Sequence, residues 1–133
     1  MTQSTQDRKV LVEKALQARK NAYAPYSGYQ VGAALMTEDG DIYTGVNVEN
    51  AAYPATMCAE RVALFSAVAD GKRAFDTLAV ATRNGGTPCG SCRQALSEFG
   101  LEIDVLIIDS EGNIRQETTV KELLPGAFGK GDL

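Results

Sequence analysis

The sequence contains no histidine and no tryptophan, and it has only three cysteines. Without an imidazole, neither a Ser-His nor a Cys-His catalytic pair can form, and no zinc ligand can be a ring nitrogen. General acid and base work then falls to a carboxylate, Lys, Tyr or Cys. The polar opening MTQSTQDRK lacks the apolar core of a secretion signal. An odd cysteine number in that setting argues against a disulfide framework and for metal binding or catalysis. Long apolar runs are missing too, since the stretches 31–36 and 105–108 are far too short to span a bilayer. Basic residues come as pairs, such as Arg19-Lys20 and Lys72-Arg73, never as a run. With a net charge of −4 and a pI near 4.8, the chain has no concentrated basic surface for a phosphate backbone. These absences lead us to expect a cytoplasmic protein with neither a membrane nor a nucleic acid as partner.

What is present is ordinary in amount. The 133 residues make one domain of common size, 1–133, with the 44% hydrophobic and 23% charged content of a globular protein. Leu11, Ala15, Ala18 and Ala22 share one helical face, which predicts a helix over 8–22 ended by Pro25. Residues 29–37 read as a strand, 38–41 as a hairpin turn and 42–49 as the return strand. Thr56 is the expected N-cap of a helix over 57–70 that stops at Gly71, with Val62, Leu64, Phe65, Val68 and Ala69 on its buried side. A strand over 76–82, a Gly-rich loop over 83–88 and a helix over 89–99 follow. A strand over 103–109, a turn, a strand over 114–118 and a short helix opened by a Thr119/Glu122 capping box complete the chain. The order α-β-β-α-β-α-β-β-α predicts an α/β fold of three layers, αβα, with a mixed five-stranded sheet.

The chemistry concentrates in Thr56-Met57-Cys58-Ala59-Glu60-Arg61 and Pro88-Cys89-Gly90-Ser91-Cys92. Both cysteine segments fall at helix starts, where free N–H groups and partial positive charge favour thiolates. Three thiolates leave one corner of a zinc tetrahedron open, which is how catalytic zinc differs from structural zinc. Glu60 follows Cys58 by two and faces another side of the helix, where a carboxylate can carry protons between water and substrate. Three thiolates around Zn²⁺ sum to a net −1, and Arg61, at i+3 from Cys58, is the candidate to offset that surplus. A Cys-x-x-Cys at a helix start also suits a redox pair, and three buried inert cysteines are the third reading. Asn47 and Glu49 fall on one face at a strand end, where by themselves they read as solvated.

Cys58-Ala59-Glu60 with Pro88-Cys89-Gly90-Ser91-Cys92 resembles the zinc deaminase signature in its three-Cys form. Ala24-Pro25-Tyr26-Ser27, Val31-Gly32-Ala33-Ala34, Asn47-Val48-Glu49-Asn50-Ala51-Ala52-Tyr53 and Leu123-Leu124-Pro125-Gly126-Ala127-Phe128 extend the resemblance to the short cytidine deaminases over nearly the whole chain. The resemblance implies a hydrolase of pyrimidine salvage that converts cytidine and deoxycytidine to uridine and deoxyuridine, with one zinc ion per chain, in a homotetramer. It implies Cys58, Cys89 and Cys92 as metal ligands and Glu60 as the catalytic proton carrier. It places Asn47 and Glu49 on the ribose hydroxyls, the Ala59 backbone on the pyrimidine and Tyr53 at the ribose end. Phe128 would stack on the base from a neighbouring subunit. Tyr29 stands where the family commonly has Phe, and its added hydroxyl needs a partner if buried.

Overall fold

A computed structural model describes residues 4–133. The start of the polar opening, residues 1–3, lies outside the described residues. The elements are α1 (Thr5–Arg19), β1 (Gly32–Thr37), β2 (Ile42–Val46), α2 (Ala59–Ala69), β3 (Phe75–Ala81), α3 (Gly90–Ser97), β4 (Asp104–Ile108), β5 (Ile114–Thr119) and α4 (Val120–Leu123). Their order and type are those expected. The five strands form one sheet in the order β2-β1-β3-β4-β5, parallel between β3 and β4 and antiparallel elsewhere.

Strand side chains alternate between the two faces, and each set finds its own helices. Ala33, Leu35, Leu78, Val80, Val105 and Ile107 pack with Ala63, Leu64, Ala67 of α2, Leu96 of α3 and Val120 of α4. Ala34, Met36, Ala79, Ala81, Leu106 and Ile108 pack with Leu11 and Ala15 of α1. This is the three-layer arrangement, with the sheet in the middle. Two glycines set how closely the helices lie. A Cβ on Gly32 would come 2.2 Å from the Ala15 carbonyl oxygen, and one on Gly45 would come 2.3 Å from that of Ala59. Helix backbone therefore rests directly on β1 and β2 at these points.

Several boundaries differ from expectation, each for a local reason. Helix α1 starts earlier because Ser4 and Asp7 form a reciprocal capping box. It ends at Arg19, well before Pro25, because the chain beyond turns to pair with the segment after β2: the Tyr23 N–H donates to the Asn47 carbonyl and the Glu49 N–H to that of Tyr23, both at 2.9 Å. The β1 and β2 strands are shorter than 29–37 and 42–49 because the Asn47 side chain takes over from the ladder. Its Oδ1 accepts from the Val31 N–H at 2.9 Å and its Nδ2 donates to the Tyr29 carbonyl at 2.8 Å. Thr56 does not cap α2. Its hydroxyl accepts from the Asn50 N–H at 3.0 Å, and Cys58 takes the N-cap position without a side-chain cap bond. The buried face of α2 is Ala59, Glu60, Ala63, Leu64 and Ala67, while Phe65 and Ala69 face outward. Gly45 lies against Ala59 and Ala63, the two small residues of that face where helix and strand backbones nearly touch. At α4 the Thr119 hydroxyl accepts from the Glu122 N–H, but the Glu122 carboxylate meets the Thr118 and Thr119 hydroxyls, so the box is half formed. Among the described residues no helix is long and apolar enough to cross a membrane.

The close approach at Gly45 sets a stability test. Replacing Gly45 with Ala forces α2 off β2 and should cost about 1–3 kcal/mol, the usual range for overpacking. A denaturant midpoint unchanged from that of the parent protein would contradict this packing.

Candidate active site

Helices α2 and α3 bring their N-termini to one place. Cys58 and Cys89 are their N-cap residues, and Cys92 lies in the first turn of α3. The three Sγ atoms all lie within 4.8 Å of one another, and Cys58 and Cys89 are 3.8 Å apart. Sulfurs at two corners of a zinc tetrahedron, with Zn–S near 2.3 Å, sit about 3.8 Å apart. The donor set thus fits zinc in both chemistry and spacing, with three corners supplied by the chain.

The charges around the sulfurs are arranged to favour thiolate at Cys58. Its thiol is pulled down to about 5 by hydrogen bonds from Cys92, Arg61 and Cys89. Cys92, hydrogen-bonded to that thiolate and buried, is pushed upward. The Arg61 Nη2 donates to Cys58 Sγ at 3.4 Å, as its i+3 position predicts, and the bond holds the guanidinium firmly in its charged form. Arg61 Nε is buried without a partner, an unsatisfied donor that costs some stability.

Glu60 is 5% exposed and lines a cavity of about 340 Å³. Burial is the main reason its carboxyl rises to about 7, with the Cys58 charge adding to the effect. Cys58, Ala59, Cys89, Asn47, Glu49, Tyr29 and Tyr53 line the same cavity, whose size is that of small-molecule sites, roughly 300–1,000 Å³. Two of the three cysteines, Glu60 and the polar pair Asn47 and Glu49 thus share one cavity. Asn47 and Glu49 lie beyond β2, not on one face of it. Each also braces the loop before β1. Glu49 accepts from the Tyr26 N–H at 2.9 Å, from the Ser27 N–H at 3.1 Å and from the Ser27 hydroxyl, and these bonds, the hydroxyl's first, hold it below the usual carboxylate range.

The Tyr29 hydroxyl has the partner it needs, donating to Asn84 Oδ1 at 2.7 Å. Phe128 does not line the cavity of its own chain. It is 58% exposed, and its carbonyl accepts from Gln94 Nε2 at 3.0 Å. Thr82, Gly86, Thr87 and Met57 also line the cavity and were not anticipated, because nothing in a lone threonine or glycine marks it for a pocket. Ser27 stood inside one of the family-like stretches, which was a usable signal.

Over residues 5–108 the chain matches the family model described as the cytidine and deoxycytidylate deaminase zinc-binding region. The chain belongs to the cytidine and deoxycytidylate deaminase family. It is accordingly an enzyme of the hydrolase class, and the deaminase match takes in all three cysteines and Glu60. Among deaminase relatives, the cytidine deaminase of Sporosarcina psychrophila is 52% identical over 126 residues, covering 92% of each chain. That of Halalkalibacterium halodurans is 48% identical, over 96% of this chain and 98% of the relative. The crystal structure of cytidine deaminase from Burkholderia pseudomallei is similar with a TM-score of 0.86 at 45% identity, covering 96% of this chain and 100% of that one. The mixed five-stranded fold is therefore the deaminase fold.

The Arg61 geometry makes a prediction about metal retention. Arg61→Ala removes the cation from Cys58 and should speed zinc release to a chelator by about tenfold, the lower range for loss of a ligand's supporting partner. Unchanged release at unchanged folding would show that Arg61 does not serve the metal.

Proposed function

We propose that the protein deaminates cytidine and deoxycytidine to uridine and deoxyuridine, consuming one water and releasing one ammonia per turnover, in cytoplasmic pyrimidine salvage. The observation that carries this reading is the buried Glu60 sharing one cavity with Asn47, Glu49 and two members, Cys58 and Cys89, of the three-cysteine cluster. The names of the similar proteins support it. Cys58, Cys89 and Cys92 would hold one zinc ion per chain. When bound, zinc supplies Lewis acidity that activates water as a nucleophile near neutral pH.

The residues of the chain then divide the work. The Glu60 carboxylate takes a proton from the attacking water, delivers it to pyrimidine N3 as the C4 carbon adds oxygen, and passes a proton to the departing amine. Burial of Glu60 excludes competing water from that transfer. The Ala59 backbone, fully buried on the cavity wall, contacts the pyrimidine. Asn47 and Glu49 receive the ribose hydroxyls, with Tyr53 and the Tyr29 ring closing that end. Glu49, held as an anion, would repel a substrate phosphate, which favours a nucleoside over its nucleotide.

The position of Phe128 supports a site completed by a second subunit. An exposed phenylalanine outside its own cavity is free to stack on the base held by a neighbour, in a homotetramer. Outward-facing Phe65 and Tyr26 supply further apolar area for association.

Two experiments test these roles. In Glu60→Gln, zinc content should stay at one per chain while cytidine turnover falls by about 10²–10⁴, the usual worth of a general acid-base group. A near-normal rate would remove Glu60 from the mechanism. Phe128→Ala and Glu60→Gln proteins, each nearly inactive alone, should recover activity when unfolded and refolded together, because a mixed assembly contains sites with both side chains intact. No recovery from a mixture shown to co-assemble would place Phe128 outside the neighbour's site.

A further inference from the structure

We propose that Tyr29 is a positioning residue whose hydroxyl clasps the 82–88 loop and so holds Cys89 in register with the nucleoside cavity. The inference rests on the zinc and cytidine reading given above. It starts from how one loop grips one side chain. The Tyr29 hydroxyl donates to Asn84 Oδ1 at 2.7 Å, and the Arg83 guanidinium lies 5.4 Å above the centre of the Tyr29 ring. The Gly86 backbone packs against the same hydroxyl so closely that a Cβ there would come 2.5 Å from it.

The acceptor is itself fixed. Asn84 pairs in a β-bridge with Asp109 just past β4, and Asp109 Oδ1 accepts the N–H groups of Glu111 and Asn113, each at 3.0 Å. Within the loop, the Gly86 N–H donates to the Thr82 hydroxyl at 2.8 Å. The metal side of the loop is pinned by Arg93, whose Nε donates to the Pro88 carbonyl at 2.7 Å and whose Nη2 donates to the Thr87 hydroxyl at 3.0 Å. The cavity side is pinned by Tyr29.

The other end of Tyr29 belongs to the sugar pocket. Its N–H donates to the Ser27 hydroxyl at 3.0 Å, that hydroxyl meets Glu49, and its carbonyl accepts from Asn47 Nδ2 at 2.8 Å. Tyr29 thus links the two polar residues at the sugar end to the loop that delivers Cys89, and Tyr29, Gly86, Thr87 and Cys89 all face one cavity. A phenylalanine here keeps the ring and its stacking with Arg83 but releases the loop. The hydroxyl therefore acts on the position of the metal ligand, while the ring forms the cavity wall.

The test measures zinc release to a chelator and cytidine kinetics for the zinc-loaded wild type, Tyr29→Phe, Gly86→Ala and the double variant, with thermal unfolding as a check on folding. Tyr29→Phe should release zinc about two- to tenfold faster and lose a similar factor in kcat, the range of one neutral hydrogen bond, with KM within about twofold. Gly86→Ala should do more damage in the wild type. In the Tyr29→Phe background its added effect should largely vanish, because the next tyrosine atom, Cζ, is 3.6 Å from that Cβ, an ordinary contact. If Gly86→Ala fails to fold alone and folds in the double variant, the clasp is equally supported. Wild-type zinc release and kcat in Tyr29→Phe would overturn it, as would a Gly86→Ala defect of undiminished size in the double variant. A wild type that retains zinc without turning over cytidine would defeat the substrate reading, while the zinc-release comparison still decides the clasp.

Discussion

Three sulfur atoms must come within reach of one ion, and they belong to residues 58, 89 and 92. The sheet order is what makes this possible. β3 leads into α3 and the β1/β2 hairpin leads into α2, on the same face of the sheet, so both helices begin near the same edge of the layer. Gly45 lets α2 lie flat on β2, and the small side chains of Ala59 and Ala63 keep that contact close. The N-cap positions then present Cys58 and Cys89 to each other.

Electrostatics make that convergence useful. Three thiolates exceed the charge of one Zn²⁺, and an excess of negative charge weakens a Lewis acid. Arg61 donates to Cys58, the sulfur at the N-cap of its own helix, and its charge also acts on Cys92. Glu60, on the adjoining face, is kept from solvent and raised toward neutrality by burial. A carboxylate poised in that range both accepts and returns a proton, so on the proposed reading consecutive residues on one helix turn would serve the metal and the proton separately.

Much of this was legible in the sequence because so little else was available. With no histidine and three cysteines, these sulfurs were the first candidates for a metal, although a redox pair and inert thiols suited the same residues. The central strands were legible as short apolar runs between turns, and the fold class from the order of elements. Helix ends were not, because they are decided by side-chain competition. Ser4 and Asp7 outbid the apolar pattern at α1, and Thr56 turned to Asn50 in place of capping α2. On α2 the expected Leu64 is buried, but Phe65 and Ala69 face outward while Ala59, Ala63 and Ala67 take the inner face, where the helix backbone lies close to Gly45. Tyr29 was visible as a departure from the family pattern. Its partner Asn84 was not, being 55 residues away in a loop with no periodicity to reveal it.

The central claim is that the chain supplies three sulfur ligands and leaves the fourth position for the reacting oxygen. Zinc K-edge X-ray absorption on the purified protein tests it most directly. The account predicts three sulfurs at about 2.3 Å and one light atom at about 2.0–2.2 Å around each zinc. Four sulfur ligands, or zinc bound away from these cysteines, would contradict it.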